Sequence, residues 1–109
     1  MDRATVVALI DALEAEVNNG GFDQFFFNEA GGRTAETVDA LKKIGASHTA
    51  SIVQAAAAKF PGGMAPTDRD ARQEALEEVS PESDAFEEQD EAFYEYQDDL
   101  AALANDYEG

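Results

Sequence analysis

Residues 19–28, with the sequence NGGFDQFFFN, join a glycine pair to four of the seven phenylalanines in this chain. Glycine adopts the left-handed backbone conformation that other residues resist, so a glycine pair after an apolar-periodic segment indicates the end of a helix. Phe22, Phe25 and Phe26 are spaced i, i+3, i+4 and would share one face of a short second helix. Because each aromatic side chain can bury roughly 150–250 Å², this block predicts the centre of the core. An exposed aromatic docking patch is the alternative.

Helical periodicity continues along the rest of the chain. The apolar residues of segment 2–18 recur in steps of three and four, typical of an amphipathic helix that Asp2 is placed to cap. Thr34 is a candidate N-cap further on, and Thr67 with Asp70 resembles a capping box. No alternating strand pattern occurs, so we predict an all-α fold of about six helices. The predicted helices are 2–18, the phenylalanine block, 34–44, 47–59, 68–79 and a last segment after residue 81.

The last segment has the most regular pattern. Phe86, Phe93, Leu100 and Tyr107 lie seven residues apart, which predicts the inward seam of one helix packed on the body of the domain. Asp90 falls near the edge of this seam and is expected to have a structural role.

Length and composition bound the domain organisation. A chain of 109 residues is expected to form a single domain, residues 1–109. It contains no cysteine, which excludes disulfides and thiolate metal sites. No basic-plus-apolar signal and no apolar run of membrane-spanning length occur, so we expect a soluble cytoplasmic protein.

The charge is strongly acidic and unevenly distributed. The chain has 24 acidic and seven basic residues, giving a net charge of −17. Residues 1–67 are nearly balanced, with 8 acids and 5 bases, whereas residues 68–109 have 16 acids and 2 bases. Such a surface repels nucleic acids and anionic membranes and favours basic partners. Acidification of a whole proteome, as in salt-loving organisms, would spread the acidic residues evenly along the chain. The asymmetry therefore favours a role that is specific to the C-terminal part.

One face of the last segment is predicted to be the partner-binding surface. Successive residues of an α-helix are rotated by 100° about its axis. If Phe93 points inward, eight acidic residues of this segment point outward. Like charges four residues apart destabilise a helix by roughly 0.2–0.5 kcal/mol per pair, and no lysine relieves them. Carboxylates at this spacing lie about 6 Å apart along the helix, which permits imitation of DNA phosphates. The predicted partner-binding residues are Asp84, Glu87, Glu88, Glu91, Glu95, Asp98, Asp99 and Asp106.

No pattern in the sequence indicates catalysis, a cofactor or a metal site. His48 is the single histidine and has no carboxylate three or four residues away. Asp68, Asp70 and Glu74 lack the glycine and the spacing of a calcium loop. No phosphate-binding or dinucleotide-binding motif occurs. We therefore expect a protein that is not an enzyme and has no cofactor.

Two sequence blocks carry a family resemblance. The pattern NGGFxQFFxN at residues 19–28, followed by ALxxIGA at residues 40–46, resembles the DNA-mimic-protein domain family of small acidic bacterial domains. The resemblance continues over residues 52–60 and resumes at DxxFY, residues 90–94, so it covers most of the chain. The first block is its most specific part. One type in this family imitates the DNA phosphate backbone and occupies a DNA-binding protein.

The resemblance and the charge together predict a regulatory protein. Its acidic C-terminal helices, from about residue 68 to 109, would occupy the basic site of a DNA-binding protein, such as a repressor or a nuclease. Direct nucleic-acid binding and membrane binding are not expected, and homodimer formation stays open. Three alternatives also stay open: an immunity or antitoxin-like protein that covers a basic toxin, an acidic face that is merely solvated, and an uncharacterised enzyme.

Overall fold

The computed structural model describes residues 1–108, and its helices pack around one apolar core. No strand occurs in this range, which confirms the predicted all-α class. Within the same residues, no helix is both long and apolar enough to cross a lipid bilayer. Two 3₁₀ turns, Glu29–Arg33 and Pro61–Gly63, accompany six α-helices. The α-helices are α1 (Arg3–Phe27), α2 (Thr34–Lys43), α3 (Ser47–Ala57), α4 (Arg69–Val79), α5 (Glu87–Tyr94) and α6 (Leu100–Asp106).

The glycine pair kinks α1. Gly20 has φ −154° and ψ 21°, and Gly21 has φ 71° and ψ −172°, so neither residue is helical. The predicted interruption is confirmed, although the chain resumes as a helix at once and both halves belong to α1. The second half presents a fresh N-terminus, and there the backbone N–H of Phe22 donates to Oδ1 of Asp90 at 2.8 Å. The kink thus makes a helix end that a residue of α5 caps, which confirms a structural role for Asp90.

We expect Gly21→Ala to lower the free energy of unfolding by more than about 1 kcal/mol. A Cβ on Gly21 would lie 2.5 Å from Oδ2 of Asp90, in addition to the strain of the positive φ. Gly45 is the matched control, because its φ is also positive (84°) and nothing lies within 4 Å of the Cβ position. Chemical denaturation of both variants should show the larger loss for Gly21→Ala. Equal losses would mean that the carboxylate contact adds nothing.

The phenylalanine block forms the centre of the core, as predicted. Phe22, Phe25 and Phe26 are fully buried. The Phe26 ring packs against Phe60 and Phe86, with ring centroids 4.8 and 5.2 Å away. Three distant parts of the chain therefore meet on one helical turn. The buried apolar residues of the first half of α1 are Val6, Leu9, Ile10, Leu13 and Val17.

Only one of the three predicted helix caps is correct. The carboxylate of Asp2 accepts a backbone N–H of the first turn of α1 at 2.8 Å, as expected. Thr34 is already inside α2, and its hydroxyl donates to a carbonyl of the preceding 3₁₀ turn at 2.6 Å, so Arg33 occupies the N-cap position. Asp68, not Thr67, caps α4, with its carboxylate 2.9 Å from a backbone nitrogen of the first turn. Aspartate is a strong N-cap, which explains its preference over the neighbouring threonine.

The prediction of one continuous helix after residue 81 is wrong. α5 ends at Tyr94, and α6 begins only at Leu100. Tyr96 between them adopts a left-handed conformation with φ 46°. Asp99 then caps α6 by accepting the backbone N–H of Ala102 at 3.1 Å. Aspartate favours caps over helix interiors, and the two aspartates that follow Tyr96, Asp98 and Asp99, accept N–H groups of the first turns of α3 and α6 instead of continuing α5. The seam is nevertheless inward: Phe86, Phe93 and Leu100 are buried, and Tyr107 packs partly buried against the core.

Candidate partner-binding surface

Five acids on and beside α5 form the most continuous part of the predicted surface. Asp84, in the turn before α5, and Glu87, Glu88, Glu91 and Glu95 are all exposed. Burial of the phenylalanines of the seam turns the opposite side of the helix toward solvent. We call these five residues the α5 face.

The other three predicted residues lie beyond α5, because this helix ends at Tyr94. Asp98 is half-buried, and its Oδ2 accepts the backbone N–H of Thr49 at 2.7 Å and its hydroxyl at 3.0 Å, capping α3. Asp99 caps α6, as described above, and Asp106 is exposed at the end of that helix. Glu95 and Asp99 are consequently not neighbours on one helical turn. A role in partner binding for Asp98 and Asp99 would compete with capping.

Two further carboxylates lie near the start of α5: Asp90 in the helix itself and Asp23 in the second half of α1. Burial raises the pKa of Asp90 above its usual value, and the charge of Asp23 raises it further, against the lowering effect of the Phe22 N–H. Burial likewise raises the pKa of Asp23, and the charge of Asp84 adds to the effect. Negative potential at this end of α5 therefore comes from half-buried as well as exposed acids.

The chain supplies almost no cations to neutralise these acids. Among residues 1–108 a single ion pair occurs, between Arg33 and Glu36 at 2.7 Å. From residue 73 onward the sequence contains no Lys or Arg. The preceding base, Arg72, is only 1% exposed. Carboxylates of the α5 face therefore face solvent without an intramolecular counter-charge.

Arg72 instead holds the end of α1, a role that the sequence analysis did not foresee. Its guanidinium donates to the carbonyl oxygens of Phe26 (2.7 Å), Asn28 (3.1 Å) and Thr67 (3.0 Å). Burial lowers the pKa of this guanidinium, because the charged form loses its hydration. The sequence did contain one sign of this role. Arg72 precedes the buried Leu76 by one helical turn, so both side chains lie on the inward side of α4.

A groove between the second half of α1 and α4 is a second surface that the sequence analysis missed. It encloses about 650 Å³. Its apolar lining includes Phe27 and Leu76, and the side chain of Gln73 joins the walls by donating to the carbonyl of Phe27 at 2.9 Å. The acids of its lining are Asp23, Asp70, Glu74 and Glu77.

The acids do not converge into a metal site within residues 1–108, where no group of three His, Cys, Asp or Glu side chains is suitably placed. His48 is half-buried near the start of α3, and its Nε2 is buried without a hydrogen-bond partner in the described structure.

The helical fold and the uncompensated acidic face define a small all-α domain with one strongly acidic side. Residues 2–108 match the model of the DMP19-like protein family, so the chain belongs to that family. The match confirms the resemblance drawn from the residue 19–28 block and extends it over almost the whole chain. No curated protein and no solved structure matches the chain.

Proposed function

We propose that this protein is a non-enzymatic regulator whose α5 face takes the place of DNA phosphates in the basic site of a DNA-binding protein. The observation that carries the proposal is the run of exposed carboxylates on and beside α5, with which no Lys or Arg forms an ion pair within residues 1–108. Membership of the DMP19-like family supports the DNA-mimic class.

Electrostatics explains why such a face would bind a DNA-binding site. Lysine and arginine side chains of such a site are arranged to meet phosphates, which rise about 3.4 Å per step along one strand. Carboxylates one helical turn apart are spaced about 5–6 Å along the axis, close to the through-space separation of neighbouring phosphates. Complementary charge of this kind accelerates encounter and fixes orientation, while like-charged molecules are repelled. The same charges would keep the protein off DNA itself.

The test is reversal of charge on the α5 face. We expect Glu87→Lys/Glu91→Lys/Glu95→Lys to abolish capture of a DNA-binding protein from the native lysate at low salt. Stability should change by less than about 1 kcal/mol, because a lysine is unfavourable in the first turn of α5 and favourable at its C-terminal end. Capture by immobilised wild-type and variant proteins, each with and without competitor DNA, is the measurement.

A second triple variant controls for net charge. Asp11, Glu29 and Asp39 are exposed and lie outside the α5 face. Their reversal to lysine makes the same change in net charge, and the captured protein should be retained. Retention by both variants, or retention that DNA does not displace, would contradict the DNA-mimic proposal.

A further inference from the structure

The groove between α1 and α4 has the shape and the chemistry of a docking site. One wall is the last turn of α1, and the other is the side of α4 on which Asp70, Gln73 and Glu77 recur at helical spacing. The hydrogen bond from Gln73 to the carbonyl of Phe27 ties the walls together. A groove of about 650 Å³ between two packed helices is large enough for a side chain and the backbone that carries it.

Phe27 gives this groove an exposed aromatic ring. It is 51% exposed, whereas the six other phenylalanines are buried. Phe27 is one of the residues that line the groove, and the other apolar residues of the lining are Leu76, which is buried, and Pro81, which is exposed. The exposed face of this ring offers a surface on which another apolar group or a cation can pack.

The charge of the groove decides which group that is. Asp70, Glu74 and Glu77 are exposed, Asp23 is half-buried, and the lining contains no Lys or Arg. None of these acids takes part in the one ion pair found within residues 1–108. Burial raises the pKa of Asp23, so its carboxylate lacks part of the stabilisation that a cation would supply. An apolar ring beside unpaired carboxylates complements a cation with a flat, weakly hydrated surface.

We infer that this groove docks an arginine-bearing segment of a partner protein. The guanidinium stacks on the Phe27 ring and donates to the carboxylates of Asp23 and Glu77. Arginine suits the site better than lysine, because its planar fork can stack and can bind a carboxylate with two hydrogen bonds, whereas an ammonium is a compact, strongly hydrated charge. The inference goes beyond the α5 face and does not depend on DNA mimicry.

Fluorescence anisotropy with two labelled probes tests the inference: a blocked tetra-arginine peptide and a blocked tetra-lysine peptide, both at low salt. We expect the arginine peptide to bind more tightly. Phe27→Leu, which keeps an apolar side chain and removes the ring, should weaken its binding about three- to tenfold, and Phe27→Tyr should retain it. Asp70→Asn/Glu77→Gln should weaken both peptides.

Two exposed acids outside both the groove and the α5 face provide the control. Asp11→Asn/Asp39→Asn removes the same number of charges and should leave the preference for arginine unchanged. Equal binding of the two peptides, no loss in Phe27→Leu, or an equal loss in the control variant and the groove variant would overturn the inference. Thermal melts of each variant identify any that is unfolded. If the groove variant is unfolded, the affinities of Phe27→Tyr and Phe27→Leu for the arginine peptide still decide the role of the ring. These outcomes are independent of the capture experiment, so either proposal can fail alone.

Discussion

Phe26→Ala should lower the free energy of unfolding by about 3–5 kcal/mol. Phe26 is fully buried, and its ring lies 5.2 Å from Phe25, 4.8 Å from Phe60 and 5.2 Å from Phe86, measured between centroids. Truncation would leave a cavity where α1, the end of α3 and the start of α5 meet, and the surrounding helices can close it only in part. Chemical denaturation followed by circular dichroism measures the loss.

The neighbouring Phe27 is the control for this change. Phe27→Ala removes the same atoms from a side chain that is 51% exposed, so the loss should stay below about 1 kcal/mol. A melting temperature for Phe26→Ala within a degree or two of the unsubstituted protein would remove this turn of α1 from the core.

Arg72→Met should have an effect of similar size, roughly 3 kcal/mol or more. Methionine fills much of the same volume but cannot donate to the carbonyls of Phe26, Asn28 and Thr67 that the guanidinium serves. The last carbonyls of a helix have no partner within it, and an unsatisfied buried acceptor costs about 1–3 kcal/mol. Arg72→Lys should recover only part of the loss, because an ammonium lacks the planar fork that reaches several acceptors.

Arg69→Met is the matched control for Arg72→Met. Arg69 is exposed and lies one turn earlier on α4, so the substitution makes the same change in net charge without uncovering a buried acceptor. Denaturation curves of the two variants should differ clearly. Coincident curves would mean that water replaces the guanidinium at no cost.

Local signals in the sequence were sufficient for much of the fold. The i, i+3, i+4 spacing of Phe22, Phe25 and Phe26 identified the buried side of their turn, because helical geometry alone places them together. Gly21 marked the kink through a backbone preference that depends on no distant contact. The inward seam at Phe86, Phe93 and Leu100 was also visible, since burial follows the apolar pattern even where the helix is interrupted.

What the sequence could not provide are the contacts between distant residues. Asp98 caps α3 through Thr49, 49 positions earlier, and this competing role separates it from the α5 face. Arg72 is buried because the carbonyls at the end of α1 satisfy it, whereas its residue type predicts exposure. The groove likewise depends on which sides of α1 and α4 face each other. Each of these features depends on how two helices pack together, and the residue pattern of a single helix does not contain that information.

The cap that Asp90 provides for the second half of α1 also governs how α5 can act in recognition. A helix of eight residues is too short to be stable in water by itself. Burial of Phe93 on one side and the hydrogen bond from Phe22 to Asp90 hold it in one orientation. Its exposed acids are therefore carried on backbone that is already ordered before any encounter. Association would need to immobilise side chains only, so little of the attraction between opposite charges would be lost to conformational entropy.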